Sequence, residues 1–119
     1  MAARHRGCGL PRLTTEARIL LEDAFTVMAR ARAQIRRPLD TQAQVTISLV
    51  DSQGAVLGMV RSPDAPVFGI DVSLQKARTA AFFSNARAFA DLSGNPDAAI
   101  GAFATASRTF LNNSSALNG

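Results

Sequence analysis

Few residues in this chain are equipped for bond-making chemistry. There is one histidine, His5, and one cysteine, Cys8, and both fall in the first few residues. A histidine-dependent triad therefore has no base inside the body of the chain. Cys8 has no nearby ordered base, so a surface thiol is the expected reading. Glu22 and Asp23 are adjacent in sequence and diverge around a helix, which suits a solvated face and not a paired acid and base. No spacing of Cys, His and carboxylates suggests zinc, and there is no phosphate-loop motif. Gly7-Cys8-Gly9 is too short for a dinucleotide fingerprint and has no strand before it. Besides His5 and Cys8, the soft donors are Met28, expected on an apolar helix stripe, and Met59, expected on a strand. Enzymatic chemistry is thus poorly supported, and a binding role is the stronger expectation.

Charge is concentrated in one part of the chain. The net charge is +4, from 13 basic and 9 acidic residues, and Lys76 is the only lysine. Residues 1–37 hold eight arginines against Glu16, Glu22 and Asp23, a balance of +5, while the rest carries −1. Arg30, Arg32, Arg36 and Arg37 on a helix end raise the question of nucleic acid. A near-neutral remainder, the absence of Tyr and Trp for base stacking, and the lack of a recognised motif argue against it. Cations at a helix end need no partner beyond the helix carbonyls. No stretch approaches the roughly 18 apolar residues of a membrane span, and no apolar run follows the basic start. As it stands, the chain is expected to be cytoplasmic.

At 119 residues, 47% of them hydrophobic, the chain is expected to form one domain. Residues 1–13 lack periodicity and are expected to be a flexible basic arm, with residues 14–119 forming the domain. Thr14 or Thr15 can cap a helix whose apolar stripe runs Leu21, Ala24, Phe25, Met28, Ala31 and Ile35, closing at Arg36 and Arg37 before Pro38. Val45, Ile47 and Leu49 alternate with Thr46 and Ser48, which predicts a strand with one face toward a core. Asp51-Ser52-Gln53-Gly54 has the residues of a type I turn, and a second strand follows over residues 55–61. Gly54 and Gly58 leave that strand thin enough for a neighbouring backbone or a ligand to approach closely. After a loop with Pro63 and Pro66, a helix is expected from residue 70 or 71 to residue 90. A last helix, capped by Asn95-Pro96-Asp97, should reach about Leu111.

Residues 45–84, VTISLVDSQGAVLGMVRSPDAPVFGIDVSLQKARTAAFFS, combine a strand end before a turn glycine, an Arg-x-x-Asp-x-Pro loop and a Gln-Lys-Ala-Arg-Thr-Ala helix. This stretch resembles the GlcG/HbpS-like haem-binding (haem-degrading) domain family. The resemblance implies an α/β fold of the α+β kind, a small antiparallel sheet packed by helices on one face. Members of that family continue into further strands, whereas this chain turns to alanine-rich helix, so the domain is expected to be incomplete. The expected partners are therefore further copies of the chain or the remainder of a longer one.

By the same resemblance, the expected ligand is haem or a related tetrapyrrole. Such a ligand needs an apolar slot, donors for its propionates and, optionally, an axial atom on iron. The candidate slot lies at the start of the central helix, around Pro66, Phe68, Gly69, Ile70 and Asp71. Free amides at that helix N-terminus would suit a propionate, and Arg61 or Arg78 would add charge. The competing reading is packing, with Phe68 and Ile70 stapling the loop to the core and Lys76 and Arg78 solvated. A structural or oligomerisation segment of a larger protein, with no ligand of its own, is the alternative function.

Overall fold

The computed structural model describes residues 10–33 and 36–119, with side chains described from Thr14 onward. His5, Cys8 and the first nine residues of the expected arm lie outside the described residues, as does Ile35. The elements run α1 (Leu10–Met28), β1 (Thr46–Val50), β2 (Val56–Arg61), α2 (Gly69–Phe83), α3 (Ala88–Ser93) and α4 (Ala98–Leu111). Among the described residues, four helices and one two-stranded antiparallel sheet make an α+β arrangement.

The hairpin forms as its residues require. Thr46 pairs with Arg61, Ile47 with Val60, Ser48 with Met59 and Leu49 with Gly58, and the register slips by one residue before Val50 pairs with Val56. At the turn the Gly54 amide donates to the Asp51 carbonyl (3.0 Å), and Asp51 Oδ1 accepts from the Gln53 and Ala55 amides at 2.8 and 2.9 Å. Gly54 has φ 81°, a left-handed conformation that glycine adopts without steric cost. An aspartate-led turn followed by a left-handed glycine is a common hairpin closure with a bulge.

Helices cover both faces of this ribbon and not one. A Cβ built on Gly58 would meet Leu21 of α1, so Gly58 and its cross-strand neighbour Leu49 face α1. On the opposite face Ser48 and Ser73 of α2 share a hydrogen bond of 2.6 Å, and Gly69 approaches Thr46. Thr46 and Ser48 therefore point at a helix and not at water. Their small size lets α2 settle onto β1.

Helix boundaries differ from the sequence expectation at four places. Helix α1 begins at Leu10, before Thr14, and ends at Met28 instead of reaching Pro38. The residues after Met28 alternate alanine and arginine, a pattern that suits extended chain. Here Ala33 donates to the Thr41 carbonyl (2.9 Å) and Ala43 to the Ala31 carbonyl (2.8 Å), so the chain folds back on itself. The expected 70–90 helix is cut at Ser84-Asn85. Ser84 Oγ donates to the Ala80 carbonyl (2.7 Å), and Asn85 Oδ1 accepts from the Arg87 amide (2.9 Å), restarting the chain as α3. Helix α4 is capped by Asp97, which accepts from the Ala99 amide at 2.9 Å, one turn signal later than Asn95.

The interior is thin. Among the described residues only Ala17, Ala65, Ala88, Ala104 and Ser62 are buried, and no large side chain is fully enclosed. The radius of gyration is 19.1 Å, against about 13.5 Å for a compact chain of this length. Helices α3 and α4 pack on each other, with Arg108 stacked 3.2 Å above the Phe89 ring centroid and bonded to the Ala116 carbonyl.

Candidate functional site

The expected slot residues separate into two places. Phe68 sits at the mouth of α2 and is 71% exposed; it does not staple the loop to a core. Ile70 and Asp71 on the first turn are also exposed. The amides of Gly69 and Ile70, expected to be free, donate to the Pro66 and Val67 carbonyls at 3.0 and 3.1 Å. Arg61 ends β2 and donates to the Ala65 carbonyl, which closes the 62–65 loop. These five residues share one end of the hairpin. Arg78 lies about 13 Å further along α2 at 1.5 Å per residue, where its Nε donates to the Gly54 carbonyl (2.9 Å) at the turn end. The sequence reading did not separate Arg78 from the other five.

A groove that sequence reasoning did not find runs between α1 and β2. It encloses about 490 Å³, with Ala17, Leu21 and Phe25 on the helix side and residues 57–60 of the strand as its floor. The close approach of α1 to β2 beside the groove depends on glycine at position 58. A Cβ there would stand 2.7 Å from Leu21 Cδ1, so the helix has closed to van der Waals contact on a bare backbone. The glycine was the available signal, but only the packing of α1 identifies what approaches it. At the rim, Arg18 and Glu22 form an exposed i,i+4 ion pair of 2.7 Å. The hydrogen bond that Arg18 donates to Glu22, and then the charge of Glu22, hold the Arg18 guanidinium above its usual pKa.

Neither methionine supplies an evident axial donor to the groove. Met28 Sδ accepts from the Ser62 hydroxyl at 3.7 Å. Met59 pairs with Ser48, so its side chain alternates to the α2 face of the ribbon. Among the described residues no group of three or more His, Cys, Asp or Glu could hold a metal ion. No described helix is long and apolar enough to cross a membrane. Two of the four clustered arginines are committed to carboxylates: Arg32 to Asp40 at 3.2 Å and Arg36 to Asp64. With α1 ending at Met28, the four lie beyond the helix on which the sequence reading placed them.

Residues 19–117 match a family model described as haem degrading protein HbpS-like. The chain belongs to the HbpS-like family. That match takes in α1 from Ile19 onward, the hairpin and all three later helices of the HbpS-like chain. No curated protein and no solved structure matches it. The family relates the chain to haem binding or degradation.

The residues of the groove fit the body of such a group. Its walls are largely apolar, with Thr14, Thr26 and Glu22 among the lining, its volume lies in the range of small-molecule sites, and Arg18 at the rim supplies a guanidinium for a carboxylate. Among the described residues the groove lining contains no histidine or cysteine to bond iron.

Proposed function

We propose that this HbpS-like chain is a non-catalytic binding module that takes haem or a related tetrapyrrole in the groove between α1 and β2. The observation that carries this reading is the largely apolar groove of about 490 Å³ between α1 and β2, beside the contact of Leu21 on Gly58. Ala17, Leu21 and Phe25 of α1 and residues 57–60 of β2 would line the apolar surface of the macrocycle. Arg18 would orient a propionate while still paired with Glu22. A haem held this way keeps its own redox chemistry, and the chain contributes burial and orientation. A non-catalytic role is supported by the groove's titratable groups, Arg18 and Glu22, being tied to each other.

Adding haem to the pure protein should shift and sharpen the Soret band saturably. Leu21→Arg should weaken that binding at least tenfold, whereas Phe68→Ala and Ile70→Ala should change it less than twofold. A spectrum identical to haem in buffer removes the reading. Weakening by Phe68→Ala alone would return the site to the mouth of α2, with Arg61, Gly69 and Asp71 around it.

A second reading has its own observation. Phe103 and Phe110 on α4 are 73% and 90% exposed, and with Ala106, Ser107 and Leu111 they form one apolar face. Such a face suits an assembly segment, either with further copies or with the rest of a longer chain. Sedimentation of the protein from 1 to about 100 μM tests self-assembly, and a monomer throughout contradicts association of copies.

A further inference from the structure

A second concavity lies at the opposite end of the ribbon, on the side of α2. It encloses about 620 Å³ between the hairpin turn, the end of α2 and α3. Gln53, Arg78, Phe82, Asn85 and Asp91 line it. The stem of Arg78 lies along Gly54, whose built Cβ would stand 3.4 Å from Arg78 Cγ. Its Nε is fixed on the Gly54 carbonyl at 2.9 Å, and because Arg78 is exposed the two terminal amino groups of its guanidinium stay open to solvent or a ligand. Among the described residues Arg78 has no carboxylate partner, unlike Arg18, Arg32, Arg36 and Arg87.

The other polar groups tilt the cleft toward donors. Asn85 spends its carbonyl oxygen on the Arg87 amide, which leaves its NH₂ group to donate. Asp91, the one acid in the lining, leans toward Arg87, with Oδ1 and Nη2 3.5 Å apart. Asp51 behind the turn is occupied by the Gln53 and Ala55 amides. The Phe82 ring, set edge-to-face against Phe83 at 5.1 Å, supplies an apolar wall. A forked cation, an amide donor and an aromatic wall in one cleft match a carboxylate carried on a flat apolar body. We infer that this cleft is a binding site for such a small carboxylate, separate from the α1–β2 groove.

The test is a titration of the ¹⁵N-labelled protein with benzoate, followed by amide chemical shifts. Saturable shifts at Gln53, Gly54 and Asn85 are expected, with benzamide at equal concentration giving none. Arg78→Gln should weaken benzoate binding at least tenfold. Asn85→Asp, which leaves the Gly54 bond intact and sets a like charge beside the ligand, should do the same. Arg87→Gln should leave the affinity within threefold. Saturating ferric haem should leave the benzoate shifts in place. Equal response to benzamide, unchanged affinity in Asn85→Asp, or displacement of benzoate by haem would each overturn the inference.

Discussion

Replacing Gly58 by valine should close the groove while leaving the hairpin standing. Gly58 has no left-handed backbone, so β2 accepts a β-branched residue there without strain. A Cβ at this position stands 2.7 Å from Leu21 Cδ1, about 1 Å inside the optimum for two carbons. Leu21 Cδ1 is the far end of a flexible side chain, so rotamer change absorbs most of the overlap. Overpacking of this kind costs roughly 1–3 kcal/mol, and removing a glycine from a strand recovers about 0.4–1 kcal/mol through the unfolded chain. The net loss is about 1–2 kcal/mol, a melting shift of several degrees for a domain of this size. The ligand suffers more. Three carbons entering the groove displace contact at about 0.8 kcal/mol per methylene, so the loss is about 2 kcal/mol, or roughly thirtyfold in Kd. The assay pairs a Soret titration with urea unfolding of the same sample. A folded Gly58→Val protein that binds haem within twofold of the parent would refute the groove as the seat.

Other substitutions test the packing that builds the site. Ser62 is buried, its Oγ accepting from the Val45 amide and facing both the Val45 carbonyl and Met28 Sδ, so Ser62→Ala strands the Val45 amide. A loss of roughly 1–3 kcal/mol in urea midpoint terms is expected. Thr46 Oγ1 is buried beneath α2 without a hydrogen-bond partner. Thr46→Val keeps its shape and removes the orphan hydroxyl, so unfolding should move to higher urea by about 1 kcal/mol; a decrease would show that the hydroxyl is satisfied in solution. Replacing both Phe103 and Phe110 by lysine should abolish any concentration-dependent sedimentation and leave the haem titration unchanged, because α4 lies outside the groove.

The hairpin and its turn were legible because their causes are local. Alternation from Val45 to Leu49 and the Asp51–Gly54 turn need no distant partner to be read. Boundaries failed where tertiary contacts decide. The apolar stripe of α1 continues on paper through Ala31 and Ile35, yet pairing of residues 31–33 with 41–43 takes that segment out of the helix. Ser84-Asn85 reads as tolerable in a helix, and its side chains instead bond the backbone on either side of a break. The polar face of β1 suggested solvent because serine and threonine usually mark it, but Ser73 was waiting for Ser48 across the helix–sheet contact. The groove was legible only as a bare glycine. Nothing local to Gly58 says that Leu21, 37 positions earlier, is what meets it. Arg78 was picked out by a motif, and its true neighbour, Gly54, is fixed by the length of α2 against the ribbon.

The most direct measurement is paramagnetic broadening of backbone amide resonances by substoichiometric ferric haem. Occupation of the groove predicts that Leu21, Phe25, Gly58 and Val60 broaden first, with residues 69–72 and 100–111 unaffected. Broadening confined to residues 67–72, with α1 and β2 unchanged, would contradict it.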